Sequence, residues 1–397
     1  MKNIIQMEFD LDRRKESRNL LNTLFFRFFN KHQIDENEPD RAKWWIRFGV
    51  VIVIFGFNSL MAEFPTPKIP FNPERYVCYR TAGELILDGK LDEVDWQNAE
   101  WTKSFVDIEG SLKPLPHFDT KVKMLWDETY FYVGVEMEEP HLWATLTERD
   151  AVIFKDNDFE IFLDPDGDTH HYMELEVNAF GTEWDLLLLK PYRDQQKVAV
   201  DSWDIAGLIT AVHLDGTLND PSDEDRGWSI EFALPWKVLE ECAPKPTPED
   251  GDQWRVNFSR VHWDLEVVDG MYNKLQKPEY NWVWSPQGLV NMHYPEMWGF
   301  VQFSTNSVGD GKTKFEFDTI ENHKWYLRTM YYKQRTHHNE YGEWMAQMKH
   351  LKNLTPFNRD FMKFPKIQLT SSGYEATATM KDGRKILLLQ DGLVKIK

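Results

Sequence analysis

Asp158-Phe-Glu-Ile-Phe-Leu163 alternates polar and apolar side chains and closes on the turn-rich Asp164-Pro-Asp-Gly-Asp168. The chain resumes as Tyr172-Met-Glu-Leu-Glu-Val-Asn178, turns at Gly181, and continues as Trp184-Asp-Leu-Leu-Leu-Leu189. A period of two is the signature of a strand with two unlike faces, and Asp, Pro and Gly between such runs are turn chemistry. Working outward, Lys121-Val-Lys-Met-Leu-Trp126 and Tyr130-Phe-Tyr-Val-Gly-Val-Glu-Met137 repeat the pattern across an Asp127-Glu128 turn. Further runs lie at 207–214, 228–234, 254–263, 280–284 and 298–303, and one short helix is predicted near 235–241. About ten short strands separated by turns predict a mainly β protein built as an antiparallel β-sandwich. No βαβ rhythm and no glycine-rich phosphate loop occur, so no nucleotide cofactor is expected.

The 397 residues carry a formal charge of −19, unevenly placed. Residues 76–304 hold 18 basic and 45 acidic side chains, a net of −27, and 13 of the 17 Trp. Such a segment is repelled by phosphate backbones, which argues against a nucleic-acid partner. Residues 48–60, FGVVIVIFGFNSL, are uncharged and follow Arg41, Lys43 and Arg47. They read as the apolar part of a secretory signal or, extended through Trp44 and Trp45 to span 44–62, as a membrane anchor. The chain divides into an N-terminal extension (1–62), a Pro-rich linker (63–75), a sandwich (76–304) and a tail (305–397). The tail is helical in pattern over 321–351, with Tyr341, Trp344, Met345, Met348 and Leu351 on one stripe, and then reads as a small meander over 367–397. Export to the periplasm, cell surface or medium is the expected location. Cys78 and Cys242 allow one disulfide or two separate thiols, and with no CxxCH, c-type haem is not expected.

Several segments resemble, in order, the family 9 carbohydrate-binding modules and their DOMON-like relatives. They are Leu87-Asp-Gly-Lys-Leu-Asp-Glu-Val-Asp-Trp96, Lys123-Met-Leu-Trp-Asp-Glu-Thr-Tyr-Phe-Tyr-Val133 and Asp156-Asn-Asp-Phe-Glu-Ile-Phe-Leu-Asp164. Trp228-Ser-Ile-Glu-Phe-Ala-Leu-Pro-Trp236, Asn281-Trp-Val-Trp-Ser-Pro286 and Tyr294-Pro-Glu-Met-Trp-Gly299 follow. The resemblance covers roughly 83–304 and implies a β-sandwich that holds a sugar between two aromatic faces without cleaving it. Carried over by position, the first aromatic falls on Phe154 and a ligand carboxylate on Glu160. The family's second aromatic falls near Met292, with His293 and Tyr294 adjacent, and an Arg falls on Glu176.

A sugar site needs flat aromatics over C–H faces and forked polar groups for hydroxyls. Candidates are Phe154, Trp184, Trp203, Trp263, Trp282 and Trp284, with Glu160, Glu176, Asn178, Asp185, Asn257 and Arg260 as polar partners. A polar row on one sheet face, such as Glu174, Glu176 and Asn178, is more often the solvated face, and single Trp residues are more often core. Asp164, Asp166 and Asp168 read either as ligands of a structural Ca²⁺ or as a tight hairpin turn. His170, His171, Met173, Met292 and His293 are candidate axial ligands should the chain follow the haem-binding relatives. A glycoside hydrolase is the enzymatic rival and a protein-recruiting adaptor the other, but no nucleophile elbow, HExxH or Ser/His/Asp signature occurs. The expectation is an exported, non-catalytic module with a glycan ligand.

Overall fold

The structure, a computed structural model, describes residues 63–194, 197–347, 349 and 361–397. The apolar stretch 48–60 lies outside the described residues, as do Met348 and Leu351 of the tail stripe. The strands are β1 (Arg75–Arg80), β2 (Val106–Asp107), β3 (Thr120–Trp126), β4 (Tyr130–Glu138), β5 (Asp158–Asp164), β6 (Tyr172–Asn178), β7 (Glu183–Leu188) and β8 (Ala199–Val200). They continue with β9 (Ile209–Asp215), β10 (Gly227–Pro235), β11 (Gln253–His262), β12 (Leu265–Val268), β13 (Met271–Lys274), β14 (Tyr280–Val283) and β15 (Gly299–Ser307). Short helices α1 (Val94–Asn98) and α2 (Trp236–Leu239) interrupt them.

Hydrogen bonding runs without a break through β8-β7-β6-β5-β11-β15-β1-β3-β4-β10-β9, with β14 added beside β11 and β2 beside β14. This single sheet folds over on itself, and its two halves pack face to face. Phe159, Ile161 and Leu163 of β5, Met173, Leu175 and Val177 of β6, and Val256 and Phe258 of β11 form the inner face of one half. They meet Val122 and Met124 of β3, Val133 and Val135 of β4, and Ile230, Phe232 and Leu234 of β10. The Phe159 and Phe232 rings stack at 6.0 Å across the gap. The sandwich therefore stands, with one departure from strict antiparallel pairing. β1 lies between β15 and β3 and is parallel to both, which closes the fold between its halves.

The Leu87–Trp96 motif works by hydrogen bonding. Trp96 is fully buried, and its indole N–H donates to Glu231 Oε1 of β10 at 2.7 Å. The backbone amides of Asp88 and Gly89 donate to Glu231 Oε2 at 2.9 and 2.8 Å. A buried carboxylate is tolerated here because three donors surround it. Both cysteines are free thiols; Cys78 is in the core, and burial pushes Cys242 up to about 12.

Two compact units are distinguished among the described residues: a large one, Pro65–Tyr331 with Ala346–Lys397, and a small one of 63–64 with Tyr332–Met345. In the small unit Phe64 stacks on Tyr332 and lies under Arg335, while the Gln334 amide bonds both the N–H and C=O of Met345. Helix α3 (Ile320–Tyr341) ends before the predicted stripe is complete, because Gly342 takes φ +74° and turns the chain out of the helix. The tail meander forms as β16 (Phe361–Leu369), β17 (Tyr374–Met380), β18 (Lys385–Leu389) and β19 (Val394–Ile396).

Within the large unit, charge anchors the start of α3. Glu321 is buried between Lys324 Nζ at 2.8 Å and Arg255 of β11 at 3.2 Å. Arg255 also covers the Phe300 ring at 3.7 Å. The linker expected at 63–75 packs here too, with Phe71 stacked on Trp325 at 4.7 Å. Burial works against ionisation of Glu321, but Lys324 and Arg255 outweigh it and hold the carboxyl below its ordinary value. A lowered folded value means this group's contribution to stability is present above the ordinary Glu range and is lost as pH falls through the folded value. Glu321→Gln should therefore cost about 3 kcal/mol near neutral pH, since it strands the buried Arg255 charge. Denaturant melts from pH 7 to pH 3 should show the gap between variant and wild type closing in acid.

Candidate functional site

The outer face of the β5–β6–β7–β11 half is not solvated. Cross-strand pairing aligns Trp184, Glu176, Glu160, Ser259 and Val283 in one row across β7, β6, β5, β11 and β14. All five are buried. The segments 146–155, 192–194, 197–199 and 284–298 cover this face and build a second apolar cluster on it. That cluster holds Ile108, Ile153, Phe162, Tyr172, Trp184, Leu186, Val283, Met292 and Trp298, with Phe154 packed against its edge. Carboxylate oxygens of Asp158, Glu160 and Glu176 lie within 4.8 Å of one another among these side chains. The polar row on β6 is thus roofed rather than wet.

Phe154 is half-buried, and its backbone ties it to the acidic row. Its N–H donates to Glu176 Oε2 at 3.0 Å, and its carbonyl accepts the Trp263 indole N–H at 2.9 Å. Trp263, also half-buried, donates its backbone N–H to Asn157 Oδ1 at 2.7 Å. Lys274 of the β12–β13 hairpin sits 3.9 Å from the centre of the Trp263 ring and 5.8 Å from that of Trp143. Farther along the face, His293 Nδ1 and the Tyr172 hydroxyl share a hydrogen bond of 2.9 Å, and Tyr192 meets His293 edge-on at 4.4 Å. Burial, reinforced by Glu174, pushes the Tyr172 and Tyr192 phenols well up, so both stay protonated.

The predicted set therefore separates. Phe154, Glu160, Glu176, Trp184, Met292 and His293 share the outer face. Asn178 and Asn257 are on it too, but their amides are occupied by the backbone. Asn178 bonds the Leu146 carbonyl and the amides of Phe180 and Thr182, and Asn257 bonds both the N–H and C=O of Ser285. These two asparagines hold loops over the face instead of reaching a ligand. Trp282 and Trp284 point to the inner core and are 2% exposed, which leaves no open ring face. Trp282 stacks on His262 at 4.8 Å, and the six-membered ring of Trp284 fills the space beside Gly299. Arg260 is on that inner side, bonded to Thr120 Oγ1 at 3.0 Å and paired with Glu139 at 2.9 Å, so it neutralises a buried acid. Trp203 packs at the edge of the inner core with its indole N–H on Glu241, and Asp185 pairs with Arg149 at 2.6 Å.

Asp164, Asp166 and Asp168 do converge, with carboxylate oxygens within 4.8 Å of one another. Their turn is already well supplied with positive groups. The amides of Gly167, Thr169 and His170 donate into it, and Lys324 and Arg328 of α3 reach the Gly167 carbonyl. Burial and the neighbouring carboxylates push Asp164 and Asp166 up. Of the haem candidates, Met173 lies in the inner core and Met292 on the outer face, so the sheet separates them.

The profile of the family described as "Carbohydrate family 9 binding domain-like" matches residues 86–264. Over that span, a little under half of the chain, the sequence is similar to this carbohydrate-binding family. The matched span begins in the Leu87–Trp96 motif and ends just past Trp263. Endo-1,4-beta-xylanase A of Thermotoga maritima is 26% identical over 166 residues, which are 42% of this chain and 13% of that protein. Its counterpart in Thermotoga neapolitana is 25% identical over 44% of this chain and 14% of its own length. The chain thus spans only a small part of either xylanase. A family 9 module from Caldicellulosiruptor kristjanssonii, solved with cellotriose, is 17% identical with a TM-score of 0.39, covering 61% of this chain and 99% of that one. The same organism's module with glucose gives 18% and 0.39, covering 60% and 100%. Among the described residues no helix is long and apolar enough to cross a membrane.

Sequence reasoning missed Lys274 and Trp143, whose groups meet at the Trp263 rim. Nothing local marks either of them, since only the fold brings the β12–β13 hairpin over the β5 end. If Trp284 is a core residue, Trp284→Ala should destabilise by about 3–5 kcal/mol. Glycan affinity of the folded fraction should stay within twofold, as read by thermal melts alongside calorimetry.

Proposed function

We propose that the protein binds carbohydrate without cleaving it, through the rim of the outer face where Phe154 and Trp263 meet Glu176. The observation that supports this best is the link between the two half-buried aromatics and the acidic row, through the Phe154 amide on Glu176 and the Trp263 indole on the Phe154 carbonyl. A sugar ring presents its C–H groups to aromatic faces, and this rim offers two within one loop's width, held in place by the buried acidic row. The match of residues 86–264 to a carbohydrate-binding family points the same way. Phe154 and Trp263 are the stacking faces in this reading, and the buried Glu176, with Glu160 beside it, positions the loop that carries them. The apolar stretch 48–60 behind Arg41, Lys43 and Arg47 supports export or anchoring of the module on the outside of the membrane.

The test is a screen of the full chain on gluco-, xylo- and manno-oligosaccharides, followed by calorimetry on any hit. Phe154→Ala and Trp263→Ala should each weaken binding about 3- to 10-fold, the range of one aromatic contact. Glu176→Gln should weaken it by a similar factor by loosening the charge-assisted hydrogen bond that holds the Phe154 amide. No affinity for any glycan, or reducing sugar released from one, would sink the reading.

A further inference from the structure

His117, His262 and Asp264 come from three separate places in the chain and meet at the inner-sheet edge, on the opposite side of β11 from the carboxylate row. His117 is exposed in the segment leading into β3, His262 is the buried last residue of β11, and Asp264 is half-buried in the turn to β12. Each offers a ligand atom within 4.8 Å of the other two. We propose that these three residues form a binding site for a borderline transition-metal ion such as Zn²⁺.

The geometry of the two rings fits. Metal–nitrogen bonds of about 2.0–2.1 Å in a tetrahedral site place two ligating imidazole centroids about 5 Å apart. The His117 and His262 centroids are 5.5 Å apart, with the rings at 78°. His262 is also oriented as ligating histidines are. Glu139 Oε2 lies 3.2 Å from its Nδ1, and Trp282 stacks flat on the ring at 15°. A carboxylate beside one imidazole nitrogen helps fix the ring and leaves the other nitrogen for a metal. Glu139 is itself paired with Arg260, so the orienting acid is rigid. Asp264 uses Oδ2 for Lys277 at 3.1 Å and Tyr280 at 3.4 Å, which leaves Oδ1 for the ion. Lys277 is 59% exposed and free to swing into solvent as the ion arrives. Two imidazoles and a carboxylate suit Zn²⁺ better than Ca²⁺, which prefers oxygen donors throughout. Three protein ligands at a partly exposed position leave a fourth place for water or an external donor.

The alternative is a plain aromatic cluster, since His117 also meets Trp282 edge-on at 4.9 Å and Tyr280 at 5.4 Å. Calorimetry of the chelator-stripped full chain with Zn²⁺ separates the two. The site predicts one tight equivalent per chain and a rise in the thermal midpoint on adding the ion. His117→Ala, at an exposed position, keeps the fold by circular dichroism; it and Asp264→Asn should each weaken Zn²⁺ binding at least tenfold and abolish the thermal shift. Co²⁺ in place of Zn²⁺ should give the intense visible bands of a tetrahedral ion in the wild type and not in His117→Ala. Absence of a tight equivalent, or binding and thermal shift unchanged in His117→Ala, overturns the proposal.

Discussion

The burial of acidic side chains on the outer face of β5 and β6 is the constraint around which the rest of the domain is arranged. Asp158, Glu160, Glu174 and Glu176 are all buried on two adjacent strands whose opposite faces are pure hydrocarbon core. Removing a carboxylate from water costs several kcal/mol unless donors and cations replace the solvent. A sandwich needs no such row for stability, because its inner face already supplies the apolar burial. The segments 146–155, 192–194, 197–199 and 284–298 make sense as the roof that this face requires. Asp156 and Asn178 bolt that roof down: Asp156 accepts from the amides of Thr145 and Leu146, and Asn178 donates to the Leu146 carbonyl.

The same logic governs the far end of β5. Asp164 closes the strand and enters the Asp-Pro-Asp-Gly-Asp turn, where Gly167 takes φ +63° and leaves only 3.4 Å between a would-be Cβ and both Arg255 and Lys324. The acidic turn can therefore approach the basic start of α3 closely. Arg328 continues the contact by reaching Thr169 and the Gly392 carbonyl of the tail meander. The acidic turn thus joins the sandwich, the helix and the C-terminal sheet within the large unit. Within the large unit, Lys324 and Arg328 set positive charge against this acidic turn.

The sandwich was legible because alternation is a local property. Phe159, Ile161 and Leu163 alternate with Glu160 and Phe162 whatever lies across the gap, so strand identity and inward face follow from the sequence alone. Parallel pairing of β1 was not legible, since register between distant strands leaves no local mark. Which of the candidate site residues share a face was only partly legible. Phe154, Glu160, Glu176 and Met292 were placed by resemblance, and they do share one face. Trp282 and Trp284 alternate correctly with each other, but alternation does not say which face is covered. Arg260 sits amid carboxylates in sequence as in space, and the structure decides that Glu139 holds it. The helical pattern past Tyr341 misled because periodicity says nothing of the left-handed turn that Gly342 provides.

One strand end ties these themes together. β11 finishes with Arg260, His262 and then Trp263, and alternation sends them in different directions. Arg260 and His262 turn to the inner side, where Glu139 engages both, while Trp263 turns to the rim beside Phe154. A stacking aromatic binds well only if its ring loses little freedom on binding, so the backbone beneath it has to be stiff already. Here that stiffness comes from the residues on either side of Trp263. His262 is pinned by Glu139 and Trp282, and Asp264 by Lys277 and Tyr280. A metal held by His117, His262 and Asp264 would bracket Trp263 with two of its own ligands. The inner-side site and the rim are then mechanically one unit, with the ion fixing the backbone from which the rim's indole projects.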